Sequence, residues 1–292
     1  MLRSIALAAG CLLALSLSAP AASAGPTAPA PSGGTTTPTQ AGTAVIAHRG
    51  ASAYAPENTL PAVRLGVDMR ADLVEIDVQR TKDGRLVVMH DTTLARTTDV
   101  EQKFPDRAPW RIADFTLDEI RTLDAGSWKS PEYGGTPVPT FEEVLDQLEP
   151  TGTGLQLEMK EPGLYPGIGE QVAAELERRP HWLRPDPEER LLVVQSFDRD
   201  FVRSFHQRMP QVRVGVLGAP APEQLGEVAT YANQVNPHHL EASPEYVTAV
   251  HSHGMTINPY TVDDPATMRV LIERGVDGII SNRPDVLRDE VG

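Results

Sequence analysis

Residues 73–90 read LVEIDVQRTKDGRLVVMH. An apolar, β-branched run, Leu73–Val78, is followed by charged residues, then Asp83-Gly84, then a second apolar run that leads to His90. Asp-Gly between two such runs is a strong signal for a hairpin with a two-residue turn. With Lys82 opposite Arg85, the register sets Asp77 opposite His90. Side chains alternate along a strand, so Glu75 shares the face of Asp77. The stretch therefore predicts two carboxylates and a histidine gathered on one surface.

Outward from it, this hairpin is the one break in a regular alternation. The strand candidates are Ala44–Ala47, Leu73–Val78, Leu155–Met159, Leu191–Val194, Val212–Leu217, Gln234–Asn236, Met255–Asn258 and Gly278–Ile280. Amphipathic helix candidates lie between them at 59–69, 141–148, 169–178, 201–208, 223–232, 245–251 and 266–273. Pro244 and Pro265 fall at expected first turns, and Gly254 and Gly275 just past expected helix ends. Strands separated by helices in this number predict a (β/α)8 TIM barrel with a hairpin extension after its second strand. Residues 91–140 form a small insertion holding Phe104, Trp110, Phe115, Trp128 and Tyr133. It reads as a cap over one end of the barrel, with a self-packed satellite cluster as the alternative.

The chain has 292 residues, of which 44–292 carry the barrel pattern. Before them, Arg3, the apolar run Ile5 to Leu17 and the small-residue end Ala22-Ser23-Ala24 form a secretory signal pattern over residues 1–24. Residues 25–43, almost wholly Gly, Pro, Ala, Ser and Thr, read as a flexible linker. The expectation is a secreted protein with no stable membrane anchor after cleavage. The single cysteine, Cys11, falls within the signal pattern, which excludes disulfide frameworks and cysteine-ligated zinc. With 26 basic against 40 acidic residues the net charge is −14, which argues against nucleic acid as a partner. An anionic substrate would have to be met by local positive charge or by a metal.

In a barrel of this kind the chemistry collects at the C-terminal ends of the strands. Those ends carry His48-Arg49-Gly50, Glu75 and Asp77, His90-Asp91, Glu158 and Lys160, Gln195-Ser196, Tyr260, and Ser281-Asn282. Three carboxylates without cysteine suit one hard divalent cation, Ca²⁺ or Mg²⁺. Set against that cation, Arg49 and Lys160, they leave the site slightly positive, which suits a phosphodiester monoanion. The two histidines are the natural acid–base pair at neutral pH.

His48-Arg49-Gly50, Pro56-Glu57-Asn58-Thr59, Glu75-x-Asp77, His90-Asp91, Glu158-x-Lys160 and the run Asp277 to Pro284 together resemble the glycerophosphodiester phosphodiesterase family. The resemblance spans residues 44–290. It implies metal-dependent cleavage of glycerophosphodiesters, small molecules, to glycerol phosphate and an alcohol. Position by position, it implies His48 and His90 as the catalytic pair, and Glu75, Asp77 and Glu158 as metal ligands. Arg49 and Lys160 would hold the phosphate, and Tyr260 would line the substrate. Asn58 is expected to cap the first helix. Four positions depart from the family's usual pattern: Ser281-Asn282 for Thr-Asp, Tyr260 for a frequent Trp, and Asp263 for a frequent Asn. None is an expected ligand or acid–base group, so the departures are expected to bear on the alcohol accepted. The alternatives are a phospholipase D-like or lysophospholipase activity, marked by an exposed apolar loop, and a non-catalytic phospho-ligand binder.

Overall fold

The computed structural model describes residues 42–185 and 191–292; the expected signal peptide and nearly all of the linker lie outside the described residues. Strands β1 (Ala44–Ala47), β2 (Leu73–Arg80), β3 (Leu86–Val88), β4 (Gly154–Met159), β5 (Leu192–Ser196), β6 (Arg213–Leu217), β7 (Gln234–Asn236), β8 (Thr256–Ile257) and β9 (Gly278–Ser281) form one sheet. Eight of them run parallel in the order β8-β7-β6-β5-β4-β2-β1-β9, and β3 pairs antiparallel with β2 outside that path. Backbone bonds from Asp277 N to Ile257 O (3.0 Å) and from Ile280 N to Pro259 O (3.0 Å) link β9 to β8. The result is a nearly closed (β/α)8 barrel, as the alternation predicts.

Helices cover its outside. Leu60–Asp68 is capped by Thr59, whose side chain accepts from the Ala62 amide, so the cap falls one residue after the expected Asn58. Phe141–Leu148 opens with a capping box of Thr140 and Glu143. The expected helix over 223–232 is instead a 3₁₀ turn followed by the short helix Leu225–Val228. A helix over Pro284–Val291, absent from the sequence reading, closes the chain.

The main apolar core lies between strands and helices, where Val45, Val74, Ile76, Leu157, Val194 and Ile279 point outward. Inside the barrel the apolar layer is thin: Ala44, Ile46, Leu73, Val193 and Ile280 plug the lower end. Buried amides accompany it, Gln156 donating to Gln195, and Gln234 to Gln156 and Asn236. Gly215 makes room for them, since a Cβ there would stand 2.8 Å from Gln234 Cγ. A polar filling of this kind survives burial only because its members satisfy one another.

The hairpin is real but its register differs from the expectation. Val78 pairs with Val88, Gln79 with Val87 and Arg80 with Leu86, one residue off. The loop holds three residues between Thr81 and Arg85, with Gly84 at φ +80°. Thr81 Oγ1 accepts from Arg85 N and donates to Asp83 Oδ1, which favours this longer turn over the two-residue one.

The insertion has its own core of Leu94, Val100, Ile112, Phe115, Ile120 and Val138, with Phe104 and Trp110 packed against it. The satellite alternative therefore describes these aromatics. Lys129 Nζ, donating to Ser52 O (2.7 Å), ties the insertion to the loop after β1.

Candidate active site at the barrel mouth

Glu75 and Asp77 sit on the inward face of β2, and strand register sets Asp77 beside Glu158 of β4. All three are buried, and one carboxylate oxygen from each lies within 4.8 Å of the others. Crowding and burial push Glu75 well above the usual carboxylate range, desolvation first and then the charges of Asp77 and Glu158. Glu158 is pushed up to about 7 by desolvation and Asp77, with Lys160 opposing. Glu75 Oε1 is buried without a hydrogen-bond partner. Three buried carboxylates with an unpaired oxygen aimed among them are costly unless positive charge arrives, so these residues fit a hard dication.

The loop after β1 supplies the next layer. Gly50, at φ +80°, lies where a Cβ would stand 2.4 Å from the Ala62 carbonyl carbon, so glycine alone lets this loop press against the first helix. Arg49 takes the left-handed region at φ 55°, uncommon for a side chain of its kind. Its amide donates to Glu75 Oε2 (2.8 Å), and its Nη1 to Glu57 Oε1 (2.8 Å). Its Nε is buried, forms no hydrogen bond and makes an ion-pair contact of 3.4 Å with Asp77 Oδ2. Asn58, instead of capping the helix, clamps Asp77: Nδ2 donates to Asp77 Oδ2 (2.7 Å) and Oδ1 accepts from Asp77 N (3.1 Å).

The two histidines meet different partners. His48 Nδ1 lies 2.7 Å from the amide oxygen of Asn282. Burial first, and then the Arg49 charge, lower its pKa to about 4, leaving it neutral at pH 7. His90 Nδ1 lies 2.7 Å from Asp91 Oδ1, a carboxylate held well below its usual range by hydrogen bonds from Arg96.

His90 reaches the site although the register is shifted, because ladder pairing ends at Val88. Beyond it the chain curls around Gln79, whose Nε2 donates to the carbonyls of Met89 (2.9 Å), His90 (3.0 Å) and Asp91 (2.6 Å). Lys160 Nζ bonds Glu158 Oε1 (2.6 Å) and lies 3.3 Å from His90 Nε2. An ammonium only donates, so at that distance Lys160 bonds the His90 Nε2 lone pair, and the opposite ring nitrogen, Nδ1, faces Asp91.

All eight residues singled out in the sequence therefore lie at one mouth. Tyr260 is half-buried there, edge-on to Phe197 and to His238, both ring centroids 6.2 Å away. The sequence reading missed several neighbours. Arg96, from the insertion, grips Glu57 through Nη1 (2.9 Å) and Nη2 (2.7 Å) and Asp91 through Nε (2.7 Å) and Nη2 (2.9 Å). Asn282 contacts His48 and Asp263 contacts Asn282, so these two departures from the usual pattern lie beside a histidine. Phe197, directly after a strand end, and Glu57, inside a quoted motif, carried a signal that position alone could have raised.

The profile of the Glycerophosphoryl diester phosphodiesterase family matches residues 48–286. The chain is 36% identical over 255 residues to a glycerophosphodiester phosphodiesterase of Bacillus subtilis (82% of this chain, 84% of that one). It is 35% identical to one from Caldanaerobacter subterraneus over 249 residues (84% and 96%). Among solved structures it resembles an Oleispira antarctica phosphodiesterase in complex with the product sn-glycerol-3-phosphate. That match has a TM-score of 0.73 and 30% identity, covering 86% of this chain and 97% of that one.

Proposed function

The chain belongs to the glycerophosphoryl diester phosphodiesterase family and is a phosphodiesterase of glycerophosphodiesters; from that premise we propose that it works by metal-assisted acid–base catalysis with His48 and His90. One observation carries this reading: the two imidazoles flank the carboxylate triad and two cations, and one bonds an amide while the other bonds a carboxylate. Glu75, Asp77 and Glu158 would hold Ca²⁺ or Mg²⁺, which when bound supplies Lewis acidity toward a phosphate oxygen and the neighbouring hydroxyl.

Arg49 and Lys160 receive the phosphate. A glycerophosphodiester carries a 2-hydroxyl beside the scissile phosphorus, so attack by that hydroxyl needs no second bound reactant. His48, neutral at pH 7, takes the hydroxyl proton. His90 gives a proton to the departing alcohol, while Asp91 stabilises the imidazolium from behind. Water then opens the cyclic phosphate with the two roles reversed.

The direct test is release of glycerol phosphate from a panel of glycerophosphodiesters, with and without chelator. A 2-deoxy glycerol analogue should turn over poorly; rapid turnover would exclude the cyclic route. Exposed Leu164, Phe197 and Leu240 on loops that follow β4, β5 and β7 favour a second reading, lysophospholipids as substrates. Vesicle binding and release of a lipid phosphate distinguish it. The export pattern of residues 1–24 belongs to the same proposal: the mature chain should begin at or near Gly25, outside the cytoplasm. Finding the intact Met1 form in the cytoplasm removes it.

A further inference from the structure

The environment of His48 is a chain of side chains in which donors and acceptors can be assigned by elimination. Asp263 Oδ2 lies 2.6 Å from Asn282 Nδ2, while Asp263 Oδ1 accepts from Asn282 N (2.8 Å) and Ser281 Oγ (3.2 Å). An ionised carboxylate only accepts, so the Asn282 amide must turn its NH₂ toward Asp263. Its oxygen then faces His48 Nδ1 at 2.7 Å. An amide oxygen also only accepts, so His48 must carry its proton on Nδ1, and Nε2 is left with a free lone pair. The reverse tautomer would require Asn282 to flip, setting two acceptor oxygens 2.6 Å apart. The Ser52 hydroxyl lies 2.7 Å from both Asn282 Oδ1 and His48 O and, having one proton, donates to only one of them at a time, so the orientation is set by Asp263.

We infer that Asp263 is a positioning residue for the reaction: acting through the Asn282 amide, it sets the tautomer of His48, so that Nε2 faces the mouth as an unprotonated base. The inference rests on the role proposed for His48, but the tautomer itself does not depend on that role. Its physical content is a division of labour. The carboxylate stands one side chain away from the imidazole, orienting it without lying against it, whereas Asp91 lies directly on His90. The other charges near His48 are Arg49, Asp77 and Glu57, and none of them sets the direction of the Nδ1 bond.

The test combines long-range ¹H–¹⁵N correlation spectra of the imidazoles with kinetics on the purified full chain and three variants. The wild-type protein should show His48 as the Nδ1–H tautomer at neutral pH. Asn282→Leu should lose that preference and lower kcat by roughly 10–100-fold with little change in KM, the usual cost of removing an orienting partner. Asp263→Asn presents an amide that can both donate and accept, so Asn282 is free to flip, and His48 should show mixed tautomers with a lower kcat. In the double variant Asp263→Asn with Asn282→Asp, the carboxylate accepts directly from His48 and the new amide donates to it. It should regain much of kcat, with the acid limb of the pH profile moved to higher pH because a negative charge now touches the imidazole. An Nε2–H tautomer in the wild-type protein overturns the inference, as does a folded double variant no better than Asp263→Asn alone. If no glycerophosphodiester is hydrolysed at all, the function reading fails, and the wild-type and Asp263→Asn spectra still decide the orientation. If a variant fails to fold, as shown by its melting curve, the wild-type tautomer decides.

Discussion

The mouth of the barrel has two walls built on different principles. The wall formed by the loops after β1 and β3, with the insertion behind them, is charged and cross-braced: Arg49, Glu57, Arg96, Asp91 and His90 are joined by hydrogen bonds of 2.7 to 2.9 Å. The wall after β5, β7 and β8 is aromatic, with Phe197, His238 and Tyr260 meeting edge to face and Phe197 55% exposed. Ion pairs with ideal two-pronged geometry fix direction, whereas edge-to-face rings leave room to adjust. Under the mechanism proposed above, the braced wall carries the proton transfer of His90 and the aromatic wall contacts the alcohol. Between the walls lies the floor of three carboxylates.

The largest expected effect falls on that floor. Glu158→Ala should weaken Ca²⁺ or Mg²⁺ binding in titration calorimetry and abolish most turnover, since a hard cation needs several oxygen ligands. Unchanged affinity would remove Glu158 from the metal's ligands. Next come the histidines. His48→Ala or His90→Ala should each cost roughly 10²–10⁴-fold in rate. A p-nitrophenolate leaving group hardly needs an acid, so on that substrate His90→Ala should regain much of its rate while His48→Ala stays slow. The opposite pattern would exchange the two roles.

The brace itself should matter less than the groups it holds. Arg96→Ala leaves Glu57 and Asp91 without their shared partner, and a fall in kcat of roughly 10–100-fold is expected. Arg96→Lys should rescue little, because an ammonium cannot grip two carboxylates through a planar fork. Full rescue by lysine would reduce the brace to simple charge. Across the mouth, Phe197→Ala should change KM by no more than about tenfold, since an edge-to-face ring pair contributes only about 0.5–1.5 kcal/mol. The change should depend on the alcohol, with little effect on kcat toward the p-nitrophenyl substrate. An equal effect on every alcohol would break the division between walls.

The smallest effect is on stability. Glu158 has its folded pKa raised to about 7 from an ordinary 4.5, so the metal-free fold holds a proton that the unfolded chain releases. That stabilisation is fully present below about pH 4.5 and is lost as pH rises through about 7. His48, lowered to about 4, gives the opposite slope, so the contribution of Glu158 is read as a difference: in chelator the melting temperature of the wild-type protein relative to Glu158→Gln should decline across that window, and added divalent cation should reverse the decline. A difference that rises through the window would contradict the picture of a crowded acidic floor.

The alternation of apolar runs, the one-face spacing of Glu75 with Asp77 and of Glu158 with Lys160, and the hairpin were all determined by the sequence, because period and turn chemistry are local properties. The register of that hairpin was not. Asp83-Gly84 is compatible with two loop lengths, and the choice depends on the Thr81 hydroxyl and on contacts from Phe115 and Leu117, more than thirty residues away. His90 reaches the site through the curl around Gln79, which no alternation rule encodes. The same holds for Arg96, Asn282 and Asp263. Each is an ordinary polar residue in a loop, and its partner is set by where β1, β3, β8 and β9 end in space. Sequence determined which residues could do chemistry; only the nearly closed barrel decided which nitrogen, and which oxygen, each of them meets.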